Sequence, residues 1–211
     1  MKIRNKKQLT PSEGYYEITI KAEHKHRYED IISSNSERAS ILVNLQDILS
    51  ENYDPPGKNI LIDRLNTNIS LLGFSINRNR VSLVVFSLSH ADAANLSVVI
   101  INNLSSFQEE SAELKQLAPM NARIKKLLGP HDALQRCSKL HASHTAWEYD
   151  KYSSIGFYLN ERKGSWMDIW RLSKLYNNDP EEYRLIVSDI VKRQPKSRSS
   201  NPIYHAPLRS M

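Results

Sequence analysis

The chain has 211 residues, of which 40% are hydrophobic and 25% are charged, and its formal net charge is +6. This length and composition favour one domain with a sizeable core over two domains. No apolar run is long enough to cross a membrane, the start lacks the apolar core of a signal peptide, and the single cysteine, Cys137, excludes an internal disulfide. We therefore expect a soluble cytoplasmic protein.

The positive charge is concentrated at the two ends of the chain. Residues 1–12 and 190–211 contain four and five basic residues and no acid, so they contribute +9 and leave −3 for the body. Basic ends on a mildly acidic body are typical of proteins with an anionic partner such as nucleic acid, although they also occur on proteins that bind none. We predict a basic arm over residues 1–13 and a basic, disordered tail over residues 193–211.

The body begins with alternating strands and helices. Aromatic and β-branched residues predict a strand over Tyr15–Ala22, and apolar residues at helical spacing predict a helix over Glu37–Glu51. Two further strands, Asn68–Ile76 and Val81–Phe86, are joined by the polar turn Asn77–Asn79. This pattern indicates a hairpin.

The second half of the chain is mostly helical. We predict a long amphipathic helix over Ala91–Leu117, a fourth strand over Ala122–Leu128 and a short helix over His131–Leu140. Two more helices are predicted over Trp166–Tyr176 and over Pro180–Lys192, the latter with Asp179 as its cap.

This order of elements predicts the fold class. It indicates an α+β protein with a ferredoxin-like antiparallel sheet and helices packed on one face. The predicted organisation is a ferredoxin-like domain over residues 14–160, followed by a C-terminal helical extension over residues 161–192 and the basic tail.

Several blocks of sequence resemble, in the same order, the single-tyrosine transposases of the HUH superfamily, especially the branch associated with repetitive extragenic palindromes. The likeness covers about residues 15–190. The blocks are Leu71–Val85, Asn95–Ser97 with the helix behind it, Ile124–His141, Tyr152–Leu159, Trp166–Asp168 and Asp179–Tyr183. The resemblance implies cleavage and joining of single-stranded DNA by a helix tyrosine, with an ion held by two histidines of an Asn-His-hydrophobic-His-Leu motif.

The chain departs from that family at the residues that carry the chemistry. The motif reads Asn79-Arg80-Val81-Ser82-Leu83 here, so the two histidine positions are Arg80 and Ser82. The tyrosine position falls on or near Phe107. Arginine does not lose its proton to become a ligand, a serine hydroxyl is a weak ligand, and phenylalanine has no hydroxyl. We therefore expect a catalytically inactive protein with no metal site and no cofactor.

The same residues also have simpler interpretations. Arg80 and Ser82 fit a solvent-facing pair on an amphipathic strand, and Phe107 fits a core residue or a base-stacking residue. His24 and His26 have the spacing of a metal pair, but a solvated or phosphate-facing cluster explains them better. The residues that we predict to bind nucleic acid are basic or lie beside basic residues: Arg78, Arg80, His24, Lys25, His26, Arg27, Lys125, Lys126, Lys192, Arg193, Lys196 and Arg198.

Three functions follow from these observations. The first is a catalytically inactive, transposase-derived protein that binds structured single-stranded nucleic acid, either a DNA hairpin or RNA. The second is a protein-interaction or regulatory subunit of a larger nucleoprotein complex, and the third is a residual metal-dependent single-strand nuclease or transposase. The family resemblance also implies a possible homodimer.

Overall fold

The computed structural model describes residues 13–22, 30–32, 34–50, 65, 67–110, 120–143 and 146–194, with only the backbone described for residues 106–110. Its centre is one antiparallel sheet of four strands in the order β2-β3-β1-β4. The strands are β1 (Gly14–Ala22), β2 (Ile69–Asn77), β3 (Arg80–Ser87) and β4 (Met120–Lys126). No helix in the described part of the chain is long and apolar enough to span a bilayer.

Two helices form a layer on one face of the sheet. Helix α1 (Asn35–Leu49) lies in sequence between β1 and β2, and helix α2 (His90–Glu110) lies between β3 and β4. The order of elements and the order of strands together are those of a ferredoxin-like fold, so the predicted α+β class is confirmed. Helix α1 begins where it does because the Ser34 hydroxyl accepts a hydrogen bond from Glu37 N (3.1 Å).

The strands form because apolar residues alternate with polar ones. Along β1, Tyr16, Ile18 and Ile20 are fully buried and contribute to the core beneath α1 and α2. Residues between them on a strand point to the opposite face. Val81 and Leu83 of β3 lie in the same core as Ile18 and Ile20, which fixes the register because a slip by one residue would expose them.

A second helical layer covers part of the other face. It consists of α3 (Pro130–His141), α4 (Ile155–Tyr158), α5 (Trp170–Ser173) and α6 (Pro180–Arg193), with short 3-10 helices at Trp147–Tyr149 and Lys174–Tyr176. Helix α3 packs on the sheet, and α6 packs on α3. Together with Leu72 and Val84 of the sheet, these helices form a second apolar core. The predicted helical extension, residues 161–192, therefore does not stand alone. It packs with α3 and α4 in one layer, on the sheet face away from α1 and α2.

The outer edge of β2 is covered by segments from this second layer. Ile76 N donates to Tyr152 O (2.9 Å), Ser154 N donates to Phe74 O (3.0 Å), and Asp168 N donates to Leu71 O (2.8 Å). These bonds satisfy the backbone groups of an edge strand that would otherwise be free to pair with another chain.

One helix prediction is wrong, and the β2 edge explains why. Residues Trp166–Tyr176 were expected to form one helix, but Met167 forms a parallel bridge with Leu71 of β2. Only Trp170–Ser173 is α-helical, and the 3-10 turn after it ends at left-handed Asn177 (φ 52°). The pairing with β2 is a tertiary contact, so the local helical spacing did not reveal it.

The remaining element predictions agree with the structure within a few residues wherever it describes them. Helix α6 starts as predicted, since the Asp179 side chain accepts a hydrogen bond from Glu181 N (2.9 Å). Residues 111–119 of the predicted long helix lie outside the described residues. So do nearly all of the basic arm and tail, and their boundaries stay predictions.

Candidate nucleic-acid interface

The sheet face away from α1 and α2 is polar near the β2–β3 hairpin. Lys21 of β1 lies directly opposite Arg80 of β3, and Asn77 and Asn121 lie at the two ends of this cross-strand row. Directly opposed residues of an antiparallel sheet point to the same side and lie about 5 Å apart. Lys21 and Arg80 therefore form a pair of adjacent cations, and both are half-buried.

The next row of this face consists of hydroxyl groups and one further cation. Ser75, Ser82 and Thr19 lie side by side on β2, β3 and β1, and Arg123 follows on β4. Ser82 is only 1% exposed. Arg123 is exposed, because Ala122 and Ile124 of β4 turn toward the core instead.

The third row contains Glu17, the one acidic residue of the four described strands, with exposed Lys125 beside it on β4. Arg136 of α3 forms a bidentate ion pair with the Glu17 carboxylate, and its Nε lies 2.9 Å from Oε2. The carboxylate is therefore already paired with a cation from the second layer. It does not neutralise the four cations of this face, Lys21, Arg80, Arg123 and Lys125, which we call the basic cluster.

Arg80 has an unused hydrogen-bond donor. Its Nε is buried, and no acceptor bonds to it among the residues that the structure describes. Buried donors in folded proteins are almost always paired with protein, water or an ion. A guanidinium whose neighbour is a second cation is suited to bind an anion with several oxygens, such as a phosphate.

Two other predicted binding residues are not members of the basic cluster. Arg78 is exposed in the hairpin turn, and its carbonyl accepts hydrogen bonds from Ile31 N and Ile32 N (2.9 Å each). Lys126 belongs to the opposite side of β4, where its Nζ lies 5.9 Å from the centroid of the Tyr16 ring.

The basic residues at the end of α6 are also separate from the sheet face. Lys192 and Arg193 are exposed, and their nitrogens lie 4.0 Å and 3.9 Å from the Asp189 carboxylate. His24, Lys25, His26, Arg27, Lys196 and Arg198 lie outside the described residues, so their predicted role stays a prediction.

The positions to which the resemblance would assign transposase chemistry do not belong to one side of the sheet. Arg80 and Ser82 point away from α2, whereas α2 carries Phe107 and packs on the face formed by Val81 and Leu83. The side chain of Phe107 lies outside the described part of the structure. Within the described residues, no three His, Cys, Asp or Glu side chains are close enough to hold a metal ion.

A histidine network in the second layer resembles a catalytic arrangement but is sealed from solvent. His141 Nδ1 lies 2.7 Å from the Tyr183 hydroxyl, and Nε2 lies 2.6 Å from Ser154 Oγ. Ser154 Oγ also accepts a hydrogen bond from Phe74 N (2.9 Å). Because His141 and Ser154 are fully buried, this network holds the second layer to β2 and offers no access to a substrate.

Burial also makes the nearby thiol and phenols unreactive. It raises the pKa of Cys137 from 9.0 to about 12, and it raises the pKa of Tyr158 and Tyr183 well above 10.0. A thiol or phenol must lose its proton to act as a nucleophile. These side chains are thus core residues.

No family model matches the chain, and no curated protein matches it. The chain is similar to two solved structures at low identity. One is a bacterial tRNA(His) guanylyltransferase (Thg1)-like protein in complex with GTP, with 13% identity and a TM-score of 0.36 over 65% of this chain and 68% of that chain. The other is such a protein in complex with ATP, with 14% identity and a TM-score of 0.35 over 81% of this chain and 73% of that chain.

Two members of the basic cluster, Lys21 and Arg123, were absent from the residues predicted from the sequence. Each occupies an outward position on a strand whose neighbouring residues are apolar. That alternation is visible in the sequence, but their proximity to Arg80 depends on β1 lying between β3 and β4. Combining the alternation with the ferredoxin-like strand order would have found them.

Proposed function

We propose that this protein binds single-stranded or hairpin nucleic acid through the basic cluster and that it does not cleave its ligand. The observation that carries the proposal is the direct opposition of Lys21 and Arg80, with Arg80 Nε buried and without an acceptor among the described residues. Like charges placed opposite each other destabilise a sheet. An anionic ligand bound between Lys21 and Arg80 would attract both cations and so offset the repulsion between them.

The chemistry of the face suits a phosphate backbone. The basic cluster supplies four cations, and half-buried Thr19 of β1 supplies a hydroxyl group beside Arg123, whereas Ser75 and Ser82 of the same row are only 1% exposed. Contacts from lysine, arginine and hydroxyl groups to phosphate oxygens position nucleic acids without reading their sequence. We therefore expect binding that depends strongly on salt and weakly on sequence.

We further propose that the chain derives from a single-tyrosine transposase of the HUH superfamily and has lost its chemistry. The order of the sequence blocks supports this origin, and the replacement of both histidines by Arg80 and Ser82 supports the loss. Phe107→Tyr alone should give no cleavage of a labelled hairpin with divalent ions, because both metal ligands would still be missing. Cleavage by the unaltered protein would contradict the proposed inactivity.

The binding proposal is tested by titrating the protein with a labelled single strand and a labelled hairpin over a range of salt concentrations. Arg80→Ala should weaken binding to both and reduce the slope of log K against log salt by about 0.7, the value for one lost contact to a single strand. Lys163→Ala is the matched control, because Lys163 is exposed and lies outside the basic cluster. An unchanged titration for Arg80→Ala would contradict the proposal and favour the protein-interaction role.

A further inference from the structure

An arginine lies between two aromatic rings at the end of β3 away from the hairpin. The Arg171 guanidinium carbon lies 4.2 Å from the centroid of the Phe86 ring and 5.1 Å from that of the Trp170 ring. Trp170 is 64% exposed. We call Phe86, Arg171 and Trp170 the aromatic stack.

The aromatic stack is held in place by contacts that do not involve Trp170. Arg171 Nε donates to the Asp168 carboxylate (2.6 Å), and Asp168 N donates to Leu71 O of β2 (2.8 Å). Tyr15 of β1 packs edge-on against Phe86, with ring centroids 5.2 Å apart. These contacts hold Arg171 in place without any contribution from the Trp170 indole. Trp170 is therefore not needed to anchor helix α5, and its large exposed ring has no structural role among these contacts.

The aromatic stack and the basic cluster belong to the same side of the sheet. Arg80 and Phe86 are both outward residues of β3, and they are six positions apart, which corresponds to about 20 Å along the strand. Arg123 and Lys125 are exposed along β4 between the two ends. Helix α3 covers Leu72, Val84 and Glu17 between these ends, so a strand that contacts both must pass along the exposed β4 edge, where Arg123 and Lys125 lie. Exposed cations together with an aromatic side chain are the arrangement with which proteins bind single strands of about 4–16 nucleotides.

We propose that Trp170 stacks on an unpaired base of the strand whose phosphates contact the basic cluster. This inference rests on the proposed function and narrows its ligand to nucleic acid with accessible bases, as in a single strand or a hairpin loop. Arg171 already lies over one part of the indole, and the exposed indole surface is available to a base. Every base has a flat π-face, so the contact would be independent of sequence.

The intrinsic tryptophan fluorescence of the protein reports mainly on contacts that a ligand makes with Trp170. Trp147 and Trp166 are each only 8% exposed, so a ligand that changes tryptophan emission by contact acts mainly on Trp170. The titrants are a single strand of about 10 nucleotides, within the usual site size, an abasic strand of the same length, and a blunt duplex. We expect quenching by the base-containing strand and little quenching by the abasic strand or the duplex.

Binding of the same strands to variants completes the test. Trp170→Ala should weaken binding of the base-containing strand by about five- to a hundredfold, which corresponds to one lost stacking contact, and Trp170→Phe should retain most of the affinity. Leu185→Ala is the matched control, because Leu185 is an exposed apolar residue of α6 that lies outside the aromatic stack. Unchanged thermal unfolding should show that Trp170→Ala is folded.

The two proposals fail in different ways. Equal binding of abasic and base-containing strands, together with normal affinity of Trp170→Ala, would overturn the stacking contact and leave phosphate binding by the basic cluster intact. Equal quenching by the duplex and the single strand would also overturn it. Loss of binding on Arg80→Ala with normal affinity of Trp170→Ala would support the proposed function alone.

Discussion

Lys21 and Arg80 lie directly opposite each other on β1 and β3. The four strands contain five basic residues and one acidic residue, so at most one of these cations could pair with an acid within the sheet. That acid, Glu17, is paired instead with Arg136 of α3. The arrangement leaves unbalanced positive charge at the hairpin end of the sheet. It is the structural basis for the proposed binding of a polyanion.

Removal of one partner of the Glu17–Arg136 ion pair should strongly lower the stability of the protein. Arg136→Ala leaves a buried carboxylate without its cation, and we expect the free energy of unfolding to fall by about 3–5 kcal/mol. Arg193→Ala removes a highly exposed cation 3.9 Å from Asp189 and should change stability by less than about 1 kcal/mol. Urea unfolding at neutral pH measures both, and equal effects would show that the buried pair has no special role.

Substitutions at Gly73 and Cys137 should have coupled effects on stability, because the two residues are packed closely together. A Cβ atom added at Gly73 would lie 2.7 Å from Cys137 Sγ, which is closer than such contacts are found. Gly73→Ala should therefore destabilise the protein by about 1–3 kcal/mol through overpacking. Cys137→Ala should lose less stability in the Gly73→Ala background than in the unaltered protein, because the new methyl group fills part of the space. Additive effects in this double-mutant cycle would argue against the close approach.

Alkaline pH should destabilise the protein partly through Cys137. The folded pKa of about 12 lies above the ordinary value of 9.0, so above pH 9 the unfolded chain releases a proton that the folded protein retains. Stability is thus complete below pH 9 and falls as the pH rises toward 12, by about 1.4 kcal/mol per pH unit for one group. Cys137→Ala should lower stability at pH 8 but show a shallower decline between pH 9 and pH 10. Parallel declines would exclude a titrating buried thiol.

The hydroxyl of Tyr183 should matter more than that of Tyr176. Tyr183→Phe removes the partner of His141 Nδ1 within a fully buried network, and we expect a loss of about 1–3 kcal/mol. Tyr176→Phe is the matched control, since Tyr176 packs in the same aromatic cluster against Tyr158 and Tyr183. Both substitutions keep the aromatic ring, so comparable losses would mean that the hydrogen bond to His141 gives the Tyr183 hydroxyl no special role.

The sequence predicted the sheet and its two large helices because their residues follow local rules. Alternation identified β1 and the hairpin, and the capping residue Asp179 marked the start of α6. The segment before Trp170 did not follow such a rule, since Met167 is extended by pairing with Leu71. No local pattern encodes a contact between residues so distant in the chain.

The candidate interface was only partly predictable for the same reason. Arg80 was identified because it occupies a motif position, whereas Lys21 and Arg123 join it only through strand order. The aromatic stack likewise depends on α5 meeting the end of β3. Strand pairing within the sheet therefore brings residues that are far apart in the sequence together in one basic cluster.

The most direct test of the central claim is the variant in which both Lys21→Ala and Arg80→Ala are introduced. Removing the opposed cations should leave the free energy of unfolding unchanged or raise it by about 0.2–1 kcal/mol, because their repulsion is lost. In the same variant, affinity for a single strand at low salt should fall, and the salt slope should decrease by about 0.7 for each lost phosphate contact. A folded double variant that binds with unchanged affinity and an unchanged salt slope would contradict the account.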